Sequence, residues 1–304
     1  MSASDDPAPV PQTGASLTGF LYALSAYFLW GFLPIYMKAL AHVPPSEVVA
    51  HRILWSLPVA GIIILLRRRT SDLRAALRNP RMLAMAALTA AIISVNWGVY
   101  VCAIPSGHAL DAALGYYINP LFSVFLGAVF LKEKLKPLQI AAILLAVAAV
   151  ALLTWDAGRL PLVALTLTLS WGAYAYCKRT LPIGPNQGFF LEVLLLAPFA
   201  LAWLLWLGFN GAGHFPGTTA DMALLAGTGL VTALPLMIYA NGAKLLRLST
   251  IGMMQYIAPT MIFLIAVYVF GEPFDRVKLY AFALIWTALA IYTASMLRQA
   301  RAAR

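Results

Sequence analysis

From residue 17 to residue 297 the chain is written as long apolar runs broken by short polar or Pro/Gly-containing stretches. A helix needs roughly 20 predominantly apolar residues to cross about 30 Å of hydrocarbon. Ten runs meet that length: 17–40, 46–66, 82–104, 108–131, 137–155, 160–178, 187–207, 219–245, 249–270 and 276–297. The pattern predicts an all-α polytopic membrane protein with ten transmembrane helices. Residues 1–16 have no basic stretch ahead of the first apolar run, so they are expected to be a disordered cytoplasmic tail rather than a cleaved signal. Residues 298–304 are expected to be a basic cytoplasmic tail.

Composition agrees with the pattern. Hydrophobic residues make up 62% of the chain, charged residues 11%, and the mean hydropathy is +0.83, whereas soluble domains carry about 25% charged residues. The net charge of +10 would suit nucleic acid in a soluble protein, but its distribution follows the membrane instead. Arg67, Arg68, Arg69, Arg74, Arg78, Arg81, Lys132, Lys134, Lys136, Lys178, Arg179, Lys244, Arg247, Arg298, Arg301 and Arg304 fall on one side. Lys38, Arg52, Arg159, Arg276 and Lys278 fall on the other. The positive-inside rule then puts both termini in the cytoplasm of a multi-pass cytoplasmic (inner) membrane protein. Asp5 and Asp6 run against this locally, and the six arginines of the first inner connection outweigh them. Cys102 and Cys177 form no motif and are expected to pack as small buried thiols.

The chain repeats itself. The stretch YYINPLFSVFLGAVFLKEKL from Tyr116 aligns with QYIAPTMIFLIAVYVFGEPF from Gln255, bringing Tyr117, Ile118, Pro120 and Glu133 onto Tyr256, Ile257, Pro259 and Glu272. At nearly the same shift Trp30-Gly31 falls on Trp171-Gly172, Pro58 on Pro198 and Tyr100 on Tyr239. Two repeats, 17–155 and 160–297, each hold five helices, and an odd number makes the second enter the bilayer upside down. Transporters built from inverted repeats place the substrate near the midplane between the repeats.

The segments WGFLPIYMKAL from Trp30, HRILWS from His51, VNWGVYVCAI from Val95, LGYYINPL from Leu114, WGAYAY from Trp171 and QYIAPT from Gln255 carry a family likeness. The chain resembles the EamA group of the drug/metabolite transporter superfamily and, within it, the RarD-like proteins, over essentially all of 17–297. That resemblance implies a ten-helix inner-membrane carrier of two EamA repeats and favours export. It leaves the substrate open, because relatives in the superfamily move amino acids, metabolites, nucleotide sugars or drugs.

The candidate chemistry begins with SEVVAHRILWS, residues 46–56. Ser46 is a candidate N-cap and Glu47 suits a first helical turn. Arg52 lies six residues further in, roughly 9 Å at about 1.5 Å per residue, where a charge costs up to about 2.5–3.5 kcal/mol. Two readings stand: Arg52 snorkels to the outer headgroups, or it lines an outward vestibule as an anion receptor or gate. Glu47 and His51, four apart, share a face beside it. Glu192 falls opposite Arg52 at a shift of 140 and is the corresponding candidate for an inner gate or proton sensor. Its alternative is snorkelling beside Lys178 and Arg179.

At midhelix depth lie Trp30, Asn96, Trp97, Tyr116, Tyr117, Asn119, Trp171, Gln255 and Tyr256. Buried amides in lipid must face partners, so these positions are either helix-to-helix contacts or the wall of a cavity. As a set they favour a substrate cavity, since aromatic walls with a few polar groups suit small molecules. No charge is expected at that depth, which points to a neutral, zwitterionic or amphipathic substrate. Pro120 and Pro259 are expected at matching midhelix positions as kinks or hinges.

His108 and Asp111 stand three apart, not at the spacing of a membrane acyltransferase, and no GxxxxGK[ST], HExxH or GxSxG motif occurs. The expectation is therefore a secondary transporter, not an enzyme, with no cofactor or metal, moving a small organic metabolite or drug by alternating access. A membrane-embedded enzyme and a channel or sensor are its rivals. A proton is a candidate coupling ion and a homodimer a candidate assembly; nucleic acid is not an expected partner.

Overall fold

Several helices open on a proline, whose fixed φ and missing N–H suit the first turn. They are α2 (Pro45–Leu66), α4 (Pro80–Ala103), α6 (Pro137–Ala157) and α8 (Pro185–Phe209). Asn79 caps α4 by accepting from the backbone N–H groups of Arg81 and Met82, and Gly158, at φ 62°, ends α6 in the left-handed region. The remaining helices are α1 (Leu17–Ala39), α3 (Thr70–Leu77), α5 (Ala109–Phe130), α7 (Leu162–Thr180), α9 (Thr219–Ala243), α10 (Ile257–Leu264) and α11 (Arg276–Ala302). A π-helical turn, Ile265–Val269, prolongs α10. This computed structural model describes residues 17–66, 70–130, 135–180, 183–243, 245–246 and 254–302. The expectations for the tail 1–16, for Glu133, for the start of the ninth run at 249–253, for the last residues 303–304 and for the side chain of Arg179 lie outside the described residues.

Among the described residues every regular element is a helix, and eight helices are long and apolar enough to cross a membrane: α1, α2, α4, α5, α6, α8, α9 and α11. Large apolar side chains such as Leu66, Trp155, Phe199 and Phe209 are exposed along them. Helices apolar on their outward faces need hydrocarbon around them, so the chain is a multi-pass membrane protein. The spans differ in enclosure. The most apolar stretch of α5 is 61% buried and that of α6 only 17%, which makes α5 a central helix and α6 a peripheral one.

The packing follows a pattern. α2 lies against α8 and α9, α1 against α9 and α10, α7 against α4 and α5, α4 against α8, α5 against α10, and α6 against α11. Close approaches depend on glycine, because a small residue lets backbones meet. A Cβ on Gly229 of α9 would strike the Trp55 backbone of α2, and one on Gly115 of α5 would come within 2.7 Å of the Ala164 carbonyl oxygen of α7.

Several expectations need correction. The first basic connection contains α3, because 70–77 carries its own helical run between polar residues. α2 starts at Pro45, so Ser46 sits inside the first turn rather than capping it. Pro259 is the third residue of α10, not a midhelix kink, while Pro120 does lie inside α5. Residues 298–302 continue α11 instead of forming a separate tail. Cys102 is exposed on the outward side of α4 rather than buried.

A cavity with one buried cation

Helical periodicity sets the walls of an internal cavity of about 150 Å³. Tyr27, Trp30 and Leu33, at spacings of three, present one face of α1. Ile93, Asn96, Trp97 and Tyr100 do the same on α4, Tyr116 and Asn119 on α5, and Leu236 and Tyr239 on α9. Gln255 leads into α10, whose Ala258, Pro259 and Ile262 follow on one face, and Trp171 of α7 and Arg52 of α2 complete the wall. The aromatic rings support one another: Tyr27, Trp30 and Tyr239 have centroids 5.5–5.6 Å apart, and Tyr100 and Tyr116 are 5.9 Å apart.

Arg52 is the charged residue of this wall, and it is 4% exposed. It does not snorkel. Its Nε donates to Thr232 Oγ1 at 2.7 Å and its guanidinium lies 4.9 Å from the Trp97 ring centroid. No carboxylate pairs with it among the described residues, and its Nη1 has no partner. The side chain of Asn119 also leaves its Oδ1 unpartnered, as does the Tyr100 hydroxyl. Asn96 differs: its Nδ2 donates to the Leu167 carbonyl at 3.2 Å and Ser170 Oγ at 2.9 Å, while Tyr116 donates to its Oδ1 at 3.4 Å. The expectation of a wall without charge is therefore overturned, because Arg52 reaches inward where the sequence suggested a vestibule.

Seven of the nine predicted wall residues come together here. Tyr117 and Tyr256 do not; they line a lateral cleft with Thr260, Phe263 and Trp286, where the Tyr117 hydroxyl and Thr260 Oγ1 lie 2.7 Å apart. Each is one residue from a wall residue and so turned by about 100°. The wall residues missed in the sequence, Tyr27, Tyr100 and Tyr239 among them, sit three or four positions from predicted ones or on their repeat partners, and that spacing was the signal for them.

The other predicted charges lie in two groups away from the cavity. Toward the face bearing the 40–44 and 210–218 connections, Glu47 is 1% exposed and accepts from the His214 backbone at 2.6 Å, with His214 Nδ1 2.8 Å from its other oxygen. His51 Nε2 is 4.0 Å from Glu47, and Trp55 Nε1 donates to His51 Nδ1 at 3.2 Å. His42 and Asp221 pair at 2.8 Å beside them, and Tyr36 donates to the Leu224 carbonyl. Glu47 is thus a buried clasp on the 210–218 connection, more than a first-turn charge. On the same face Glu272 accepts from Ala109 N at 2.7 Å and Leu110 N at 2.9 Å, capping α5. Toward the basic face, Glu192 is fully buried and accepts from Thr89 Oγ1 at 2.7 Å, Tyr174 OH at 3.1 Å and Lys178 Nζ at 2.5 Å. It does not extend to the headgroups.

Comparison with known proteins places this arrangement. A model of the EamA-like transporter family matches residues 17–155. A Vibrio cholerae protein named as an uncharacterized transporter is 40% identical over 97% of this chain and 98% of its own length. The protein RarD of Streptomyces exfoliatus is 40% identical over 94% of this chain and 91% of its own. A solved protein crystal structure, 20% identical over 92% of this chain and 97% of that one, has the same fold at a TM-score of 0.58. Likeness of this extent across the whole helical region means that the chain belongs to the EamA-like transporter family, as a RarD-like member.

Proposed function

We propose that this protein is a secondary transporter that carries a small organic solute through the cavity by alternating access. The observation that carries the proposal is the cavity's position: α1, α2, α4 and α5 line it from one half of the chain, and α7, α9 and the α10 region from the other. In this reading the halves, 17–155 and 160–297, are inverted five-helix repeats that rock about the site. The packing supports it. With α1, α2, α4, α5 and α6 matched to α7, α8, α9, α10 and α11, the α1–α9 contact answers to α7–α4, α1–α10 to α7–α5 and α2–α9 to α8–α4. The matched glycines behave alike as well: a Cβ on Gly31 would strike Met261, and one on Gly172 would strike Phe122.

The basic face is assigned to the cytoplasm of a cytoplasmic membrane by its excess of Lys and Arg, and export follows the family resemblance. Pro120, inside α5, is the hinge candidate, and the Glu47–His51 and Glu192 groups the closures at either end. A cavity of about 150 Å³ is small beside the roughly 300–1,000 Å³ of drug-sized sites, so a metabolite suits this conformation better than a drug.

Purified protein in proteoliposomes tests the proposal by counterflow of labelled metabolites. Saturable exchange reduced by Trp30→Ala is expected. Steady conductance without saturation would instead mean a channel, and chemical conversion of the solute an enzyme.

A further inference from the structure

Resting on that transport reading, we infer that the cavity takes a small organic monocarboxylate, with Arg52 as the receptor for its charged end. A buried guanidinium without a carboxylate partner is an expensive group to leave incomplete, since the penalty for burying an ion is recovered only through its full set of partners. Here Nε is satisfied by Thr232, and Nη1 is buried without a partner in a side chain of the cavity wall. Polar atoms buried without partners are rare in folded proteins and call for a ligand, a water or a mechanism. Three of them, Arg52 Nη1, the Tyr100 hydroxyl and Asn119 Oδ1, belong to residues that line this one space.

Their chemistry selects the ligand. Arg52 Nη1 is a cationic donor and the Tyr100 hydroxyl a neutral one, which together match the two oxygens of one carboxylate. Asn119 Oδ1 is an acceptor, so the far end of the solute should carry an N–H or O–H. Among the described residues no acidic side chain lines the cavity to receive a separate cation, which disfavours a solute of net positive charge. A phosphate, with two charges and more acceptors, would find a single guanidinium too little. The size agrees, because a cavity of about 150 Å³ is enough for a benzene-sized ring. The aromatic walls favour a flat body.

Detergent-purified protein is titrated with benzoate, with its neutral isostere benzamide and with 4-hydroxybenzoate. Quenching of the cavity tryptophans and the shift in melting temperature are read together. Benzoate is expected to bind at least about tenfold more tightly than benzamide, the size of one charge-assisted hydrogen bond. 4-Hydroxybenzoate should bind more tightly again, and Asn119→Ala should remove that last gain. Arg52→Gln should bring benzoate down to benzamide. Should that variant fail to fold, Tyr100→Phe replaces it, weakening benzoate while leaving benzamide unchanged. Benzamide binding as tightly as benzoate, absence of benzoate binding, or a benzoate preference surviving Arg52→Gln each overturns the inference. Saturable exchange of neutral solutes with no benzoate binding would end the carboxylate assignment and leave transport standing. Arg52-dependent benzoate binding without exchange in proteoliposomes would do the reverse.

Discussion

Arg52 and Glu192 lie 140 residues apart, one on α2 and the other on α8, and each bonds a threonine on a distant helix: Thr232 of α9 and Thr89 of α4. Their surroundings differ in kind. Glu192 collects three donors, including the Lys178 ammonium, and borders no cavity wall described above. Arg52 has Nε bonded to a threonine, Nη1 without a partner, a tryptophan face and a cavity beside it. The two charges therefore serve two purposes. A charge that is fully partnered holds helices together, and a charge that is left incomplete waits for a ligand.

The largest expected effect separates these purposes by stability. Glu192→Leu strands the Lys178 ammonium, whose side chain is 19% exposed, and should destabilise by about 3 kcal/mol, the lower end for breaking a buried pair. Arg52→Met removes a charge that has no carboxylate to strand, and should stay within about 1 kcal/mol of the parent. Unfolding in mixed micelles measures both. Equal losses in the two variants would erase the distinction. A transport profile between about pH 5 and 8 extends the comparison: if flux depends on pH and Glu192→Gln keeps that dependence, Glu192 is structural and senses no proton.

A smaller effect is expected at Glu47, which lies outside the matched pair. Glu47→Ala removes two bonds to His214 and should cost about 2 kcal/mol, since bonds to a charged group contribute about 1.5–3 kcal/mol each and His214 is partly solvated. Proteolysis within 210–218 should quicken before the helices unfold. Unchanged cleavage would mean that the connection is held by Phe215 against His51 and Trp55 instead.

Eight of the ten expected spans were legible in the sequence because hydrocarbon length and apolar runs speak for themselves, while the runs 160–178 and 249–270 gave helices that do not meet that measure among the described residues. The partner of Glu47 was not legible, because His214 is 167 residues away and on a connection that carries no periodic signal. The state of Arg52 was equally hidden: sequence gives its depth but not whether a carboxylate meets it. The short α3 escaped notice since eight residues carry a weak pattern. The helix start near Pro259 was misread as a kink because an apolar run continues across it. Tyr117 and Tyr256 are a different case. Their neighbours Tyr116 and Gln255 face the cavity, and the angular step of about 100° per residue here carries the next side chain round to the cleft.

That last point gives the smallest and most selective test. Tyr117 and Asn119 are two residues apart on α5, yet one bonds Thr260 beside the lateral cleft and the other belongs to the cavity wall with its Oδ1 buried and unpartnered. Tyr117→Phe loses one interhelical hydrogen bond, worth about 0.6 kcal/mol between membrane helices, with solute affinity unchanged. Asn119→Ala should leave stability nearly untouched, because the Oδ1 it removes has no protein partner, while solute affinity falls several-fold, as expected for one neutral hydrogen bond of about 1 kcal/mol. Tyr256→Ala should resemble Tyr117→Phe in sparing affinity, and Trp30→Ala should resemble Asn119→Ala in reducing it. Were Tyr117→Phe to weaken solute binding as much as Asn119→Ala, the cleft and the cavity would be parts of one site, and the assignment of these two neighbours to separate faces would fail.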